Sequence, residues 1–295
     1  MRVVRTALLT HTDLDGVGCA VVFAGALPGQ GPIELVENGA IDGRVREALG
    51  ARIADAAAHE VLVTDHGLDP ATADAADDFV SAGGRFRLLD HHRSSLHLAG
   101  REWATVDPAR SATGLLFDHL GRPPAFAEFA SVVEDHDLWR HQDPRSARLA
   151  TLAGLLGGDR FLARFAADPS VELREGERLL VENEETRRED YQRRKVEQAR
   201  LVEIGGTRWA MCYAEQYQSD VAERLMTELG VAATAIVNPG RRTISLRARD
   251  VDVSRIAERF GGGGHARAAA FTFRGAALEA ELTRFEDRLV VELAP

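Results

Sequence analysis

Through residues 1–145, short apolar runs rich in β-branched residues alternate with Ala- and Leu-rich stretches of helical period. Strands are expected at 3–9, 33–36, 61–63, 86–89 and 103–106, and helices at 16–26, 43–49, 71–82, 111–120 and 126–134. No other feature constrains the fold as tightly. Strands separated by helices build βαβ units and a mainly parallel sheet. Such a sheet gathers ligands just beyond the carboxyl ends of its strands.

Residues 174–200 break the pattern: 16 of these 27 residues are charged. Their interleaved signs favour i,i+3 and i,i+4 pairing, so an exposed connecting helix is expected. Beyond it, strands at 209–213, 233–237, 243–247 and 269–273 and helices at 220–229, 253–260 and 277–293 suggest a second α/β domain. The expected organisation is α/β throughout. Residues 1–145 form a mainly parallel sheet with flanking helices, 146–204 a helical connector, and 205–295 a smaller α/β domain. A chain of 295 residues is long enough for two such cores.

The longest uncharged apolar stretch, 17–33, is interrupted by Gly25, Pro28, Gly29, Gly31 and Pro32, and no basic segment precedes it. Neither a membrane span nor an export signal is expected. Cys19 and Cys212 are too few for a disulfide framework and fit a reducing cytoplasm. The net charge of −10 argues against tight, sequence-independent binding to long duplex DNA. A small anionic ligand remains compatible where local positive charge, metal ions included, outweighs the global sign.

Acids and histidines cluster at one edge of the expected sheet. Thr10-His11-Thr12-Asp13-Leu14-Asp15-Gly16 follows the first strand, Thr64-Asp65 the third, and Asp90-His91-His92 the fourth. A later helical stretch ends in Glu134-Asp135-His136-Asp137-Leu138-Trp139. One carboxylate at a strand end is an ordinary cap or turn residue. Seven or more at one edge repel strongly unless a cation neutralises them. Hard oxygen ligands with imidazoles and no nearby Cys suit Mn²⁺ or Mg²⁺ rather than structural zinc. Alternation lets His11, Asp13 and Asp15 point the same way along an extended segment, and Gly16 allows close backbone approach. Two divalent ions about 3.5–4 Å apart would use this many ligands, one carboxylate bridging, for hydrolysis of a phosphate ester or anhydride.

These segments, His-x-Asp-x-Asp-Gly, a lone Asp at a strand end, Asp-His-His and a later Asp, resemble the four motifs of the DHH phosphoesterase superfamily. Ser245-Leu246-Arg247, Asp252-Val253-Ser254-Arg255-Ile256-Ala257 and Gly261-Gly262-Gly263-Gly264-His265 resemble its DHHA1 domain. His11 to Cys19, with Asp90-His91-His92 followed by Leu96-His97-Leu98, is most similar to the nano-RNase B-type oligoribonucleases. The resemblance implies that His11 and Asp13 hold one metal, that Asp15, His91 and a fourth-motif Asp hold the other, and that Asp65 bridges them. Likeness to an Asp-x-Trp form favours Asp137 as that residue, with Asp135 the alternative. His92 would face the substrate phosphate as proton donor or stabiliser of the leaving oxygen, and Asp90 would sit behind the histidines and orient a ring.

A bare run of glycines reads as a flexible turn. His265 and Arg267 after it and Arg247 on the preceding strand shift the weight, because glycine amides approach phosphate closely and His and Arg donate to its oxygens. The resemblance implies that Arg247, Gly262, Gly263, Gly264 and His265, with Ser245 and Arg267, bind the nucleotide end of a substrate at an interdomain cleft. The implied activity is Mn²⁺-dependent, with Mg²⁺ the alternative ion, and uses a hydroxide activated by two metals. It releases nucleoside monophosphates from short RNA or small nucleotides, among them linear dinucleotides and 3′-phosphoadenosine 5′-phosphate. Cyclic nucleotides and cyclic dinucleotides require the same centre. Pyrophosphatase and exopolyphosphatase branches carry a different C-terminal domain, and a RecJ-type long-chain exonuclease needs further domains. A homodimer is compatible with the resemblance. His59, His97, His119 and His141 read as surface or packing residues, Ser111-Ala112-Thr113 as a helix cap, and Trp103 and Trp139 as core anchors rather than base-stacking platforms.

Overall fold

A computed structural model describes residues 5–27, 29, 31–273, 284 and 287. The helix expected at 277–293 therefore lies outside the described residues apart from Arg284 and Asp287. The chain divides into two units, Met1–Glu182 and Asn183–Pro295.

The first unit contains β1 (Arg5–His11), α1 (Leu14–Ala26), β2 (Ile33–Val36), α2 (Ile41–Gly50), β3 (His59–Thr64), α3 (Pro70–Ser81), β4 (Arg85–Asp90), β5 (Ala104–Val106), α4 (Ala112–His119), α5 (Ala127–Asp137), α6 (Pro144–Leu156) and α7 (Gly158–Ala167). The strands form one parallel sheet in the order β2-β1-β3-β4-β5. Thr6 to Thr10 are buried without alternation, as a central strand covered on both faces requires. On one face, Val45 and Leu49 of α2 and Ala73 and Phe79 of α3 pack on Val61, Val63 and Leu88. On the other, Cys19 and Phe23 of α1 and Leu116 of α4 meet Leu8, Leu62 and Leu89. From β1 the chain turns to β2 on one side and then places β3 on the other. The carboxyl ends of β1 and β3 thus form the switch point at which such sheets bind ligands.

Residues 144–167, expected within the connector, form α6 and α7. Their Leu149, Leu152, Phe161 and Phe165 share a core with Val17, Val21, Phe129 and Val133. Arg164 is buried in this layer and donates through Nε to Glu177 at 2.7 Å. Burial alone would raise the Glu177 carboxyl, but hydrogen bonds from Arg164 and the Arg174 amide outweigh it and hold the group below its usual range. A depressed carboxyl contributes stability above its unfolded pKa and loses it as pH falls through the folded value. Arg164→Ala is expected to cost about 3 kcal/mol at neutral pH by removing the buried guanidinium that pairs with Glu177. Urea unfolding should show that gap narrowing as the medium is acidified below about pH 4.

The charged helix α8 (Glu175–Glu197) contains the boundary between the units. The second unit continues with β6 (Arg200–Ile204), β7 (Thr207–Tyr213), α9 (Gln218–Glu228), β8 (Ala233–Asn238), β9 (Thr243–Ala248), α10 (Val253–Arg259), β10 (Gly263–His265) and β11 (Ala268–Thr272). The sheet order is β10-β11-β9-β8-β7-β6, with only the β7–β8 pairing parallel. Along β9 burial alternates, with Ile244, Leu246 and Ala248 in the core and Thr243, Ser245 and Arg247 on the opposite face. Among the described residues no helix is long and apolar enough to cross a membrane. Both cysteines are free and buried.

Candidate metal centre

At the end of β1 the chain must reverse into α1, and Asp13 makes that turn as the helix cap, its Oδ1 accepting the Gly16 amide at 3.0 Å. Gly16 lies so close to β1 that a Cβ there would sit 2.2 Å from the His11 carbonyl oxygen. Thr10 donates to the Gly16 carbonyl at 2.9 Å, and Thr64 donates to Thr10 at 2.7 Å, tying the ends of β3, β1 and α1 together. This clamp leaves Asp13 Oδ2 3.0 Å from His11 Nδ1.

Asp15, in the first turn of α1, is fully buried. Its two oxygens accept the Ala112 amide at 2.6 Å and the Thr113 amide at 2.9 Å. Ser111 caps α4 through the Gly114 amide at 3.0 Å, so the first turn of α4 presents its free N–H groups to Asp15. The residues read as a simple cap therefore also orient a site carboxylate.

Asp65 follows β3 in the left-handed region, φ 58°, which Asp tolerates better than most side chains. Its Oδ2 lies 3.7 Å from His11 Nδ1 and its Oδ1 lies 3.3 Å from His91 Nε2. One carboxylate thus addresses two histidines with different oxygens. His91 Nε2 is also 3.8 Å from Asp15 Oδ2, and its Nδ1 is 3.5 Å from Asp137 Oδ2. Three sets of donor atoms lie close enough to share an ion: His11, Asp13 and Asp65; Asp15, His91 and Asp137; and Asp65, His91 and His92.

Of the two acids at the end of α5, Asp137 joins this cluster. Asp135 instead accepts the Gln142 amide at 2.9 Å and the Asp143 amide at 3.3 Å. Residues two apart on a helix diverge by about 200°, so one facing the site places the other away from it.

Asp90 is buried at the end of β4. Its Oδ1 accepts the His91 amide at 2.8 Å and His92 Nδ1 at 2.7 Å. Burial would raise its carboxyl, but the His92 hydrogen bond and charge hold it below the usual range. The same bond raises the His92 imidazole above its ordinary value against the opposing effect of burial. His92 is half exposed.

His66, not assigned a role from sequence, is buried edge-on against His11, ring centroids 5.0 Å apart, with Nε2 3.2 Å from the Val36 carbonyl. Burial lowers its pKa, so the neutral ring donates to that carbonyl and packs His11 into place. Trp103 is buried and donates Nε1–H to Asp77 Oδ1 at 2.6 Å, as an anchor should. Trp139 is not an anchor, being 72% exposed. The reversal has a backbone cause: φ at Trp139 is 54°, which ends α5 and turns the ring away from the core.

The charge balance favours an ion. Burial raises the Asp65 carboxyl well above its ordinary value, and facing Asp15 and Asp13 raise it further. Burial, then Asp15 and Asp13, push Asp137 up to about 8. Burial also raises Asp15 despite its amide hydrogen bonds. Asp65 Oδ2 and Asp137 Oδ2 are buried without a hydrogen-bond partner, a cost of about 1–3 kcal/mol each if nothing fills the gap. Orphaned carboxylate oxygens beside imidazoles fit divalent cations with mixed O/N ligands.

On the second unit, strand register aligns His265 with Ala268 and Arg247, and Gly263 with Ala270 and Ser245. Arg247, Ser245, Gly263 and His265 therefore share a sheet face whose intervening residues are alanines. Arg247 donates to Ser219 Oγ at 3.2 Å, and Ser245 donates to Gln218 Oε1 at 3.1 Å. A Cβ at Gly262 or Gly264 would collide with the backbone of β11, whereas Gly263 faces open space. Arg267 is exposed in the turn between β10 and β11, outside the aligned rows.

The DHHA1 domain family matches residues 216–291. Oligoribonuclease NrnB of Bacillus subtilis (strain 168) is 31% identical over 284 residues, spanning 89% of this chain and 71% of that protein. Two solved structures share the fold. The pGpG-specific phosphodiesterase PggH from Vibrio cholerae has a TM-score of 0.62 at 15% identity, covering 98% of this chain and 99% of its own. Exonuclease RecJ bound to manganese has a TM-score of 0.55 at 16% identity, covering 97% and 90%. Nearly one residue in three is shared with NrnB across most of both sequences, and the chain belongs to the DHH/DHHA1 phosphoesterase superfamily.

Proposed function

We propose that this protein hydrolyses the phosphodiester bonds of very short oligoribonucleotides and small linear nucleotides to nucleoside monophosphates. The observation that carries the reading is the placement of Asp65, whose two oxygens face His11 on one side and His91 on the other. His11, Asp13 and Asp65 would hold one divalent cation, and Asp15, His91 and Asp137, with Asp65 shared, would hold a second; Mn²⁺ suits this ligand set best. When bound, such ions polarise a phosphoryl oxygen and make water acidic enough to attack.

The other residues act on the substrate and its protons. Asp90 accepts from His92 Nδ1 and raises the imidazole pKa above its ordinary value, so Nε2 would carry the proton given to the leaving oxygen. The amides of Ala112 and Thr113 and the ring of His66 fix Asp15 and His11, so little reorganisation is needed when substrate arrives. On the second unit, Arg247 and His265 would pair with nucleotide phosphate, Ser245 and Arg267 would add donors, and the open amide face at Gly263, between Gly262 and Gly264, would admit close approach.

The test is a panel with added Mn²⁺: RNAs of graded length, a linear dinucleotide, 3′-phosphoadenosine 5′-phosphate, a cyclic dinucleotide and pyrophosphate. The shortest linear RNAs should be cleaved fastest, with loss of turnover on chelation. Consumption of pyrophosphate alone would refute the phosphodiesterase assignment.

A further inference from the structure

The segment after α5 spends interactions to hold a large apolar ring in water. Trp139 is 72% exposed, while the other two tryptophans, Trp103 and Trp209, are 5% and 0% exposed. Trp139 and His141 both take left-handed backbone conformations, φ 54° and 48°, which cost free energy in side chains of this size and cluster at functional sites. The loop is nonetheless tied down. Arg140 donates to Glu134 at 3.1 Å, and Asp135 accepts the amides of Gln142 and Asp143. The His141 ring meets the indole edge-on, centroids 4.3 Å apart and planes at 79°, and His136 flanks it at 6.3 Å. An indole that is exposed, braced and strained is built to receive something.

Its position says what. Asp137, two residues upstream, faces His91 in the metal centre, so at most about 7.6 Å of Cα trace separates the ring's attachment from a candidate ligand. His136, 6.3 Å from the indole, also lies close enough to Asp13 for their charges to interact, so the indole stands on the side of the centre where the base of a bound nucleotide can reach. Bases stack on aromatic faces with little regard to sequence.

We infer that Trp139, braced by His141, is a base-stacking platform that binds a nucleobase of the substrate next to the reacting phosphate. The inference rests on the nucleotide phosphodiesterase reading above and adds a specificity element to the catalytic unit. Stacking on one indole accepts any base and favours purines through their larger area.

The test compares wild type, Trp139→Ala and Trp139→Phe on a dinucleotide RNA and on its analogue lacking the base at the leaving end or at the retained end. Trp139→Ala should raise KM for the dinucleotide about tenfold with kcat nearly unchanged. Trp139→Phe should restore most of the loss, and KM for one abasic analogue should be insensitive to both substitutions. Because the other two indoles are buried, a nucleoside monophosphate should quench wild-type tryptophan emission, and Trp139→Ala should abolish the quench. Equal KM for wild type and Trp139→Ala on the dinucleotide, or a fall in kcat shared by every substrate, would overturn the platform. The second result would mean that the ring only positions Asp137. Absence of wild-type turnover on any phosphodiester would instead defeat the functional reading, and the quench would then still report whether the base binds.

Discussion

Asp65→Asn should abolish turnover of a dinucleotide RNA, lowering kcat by several orders of magnitude, while leaving the chain folded. The Oδ2 of this carboxylate has no hydrogen-bond partner, and burial, then the facing Asp15 and Asp13, push its pKa up. Without cations, exchanging it for a neutral amide of the same shape relieves repulsion, so chelator-treated Asp65→Asn should melt no lower than chelator-treated wild type. Added Mn²⁺ should raise the wild-type melting temperature, because an ion that binds only the folded state stabilises it by mass action. The variant should lose most of that increment. Calorimetry with and without chelator checks both halves. Unaltered hydrolysis by the variant would remove Asp65 from the reaction.

Gly16→Ala should be damaging on two counts. In most helices this change is favourable by up to about 1 kcal/mol, but here the added Cβ would fall 2.2 Å from the His11 carbonyl oxygen. Either β1 or the first turn of α1 must shift, at a cost of about 1–3 kcal/mol and several degrees in melting temperature for a unit of this size. The same shift displaces His11 from Asp13 and Asp65. Activity should therefore fall by far more than the loss of folded protein accounts for, a comparison made by measuring kcat per folded molecule at a temperature below both transitions. An unchanged kcat would show that His11 need not be held by this clamp.

The parts legible in the sequence are those where local pattern and tertiary role coincide. β1 and β3 lie buried in a parallel sheet, so their apolar runs are continuous, and the acids and histidines after β1, β3 and β4 fall at the carboxyl edge by topology alone. The shared face of Ser245 and Arg247 follows from strand periodicity. Other features depend on backbone conformations that periodicity does not register. Neighbours on extended chain face opposite ways, which gave no sign of a role for His66 beside Asp65. With Asp65 at φ 58° the alternation fails, and His66 turns inward onto His11. Trp139 was expected in the core for want of any local signal that residues 139 and 141 leave the helical region. β6 was hidden because Arg200 and Glu203 continue the charge pattern of α8, and an edge strand needs little apolar burial of its own. The packing of α6 and α7 on α1 and α5 is long-range and left no mark that separated them from a connector.

The central claim is that Asp65 stands between two bound cations. Anomalous diffraction at the manganese edge, from crystals of the full chain grown with Mn²⁺, locates those ions directly. Two peaks are expected, one within ligand distance of His11, Asp13 and Asp65 and the other of Asp15, His91 and Asp137, each approached by a different Asp65 oxygen. No peak at this edge of the sheet, in crystals of protein that cleaves short RNA in the same buffer, would contradict the account.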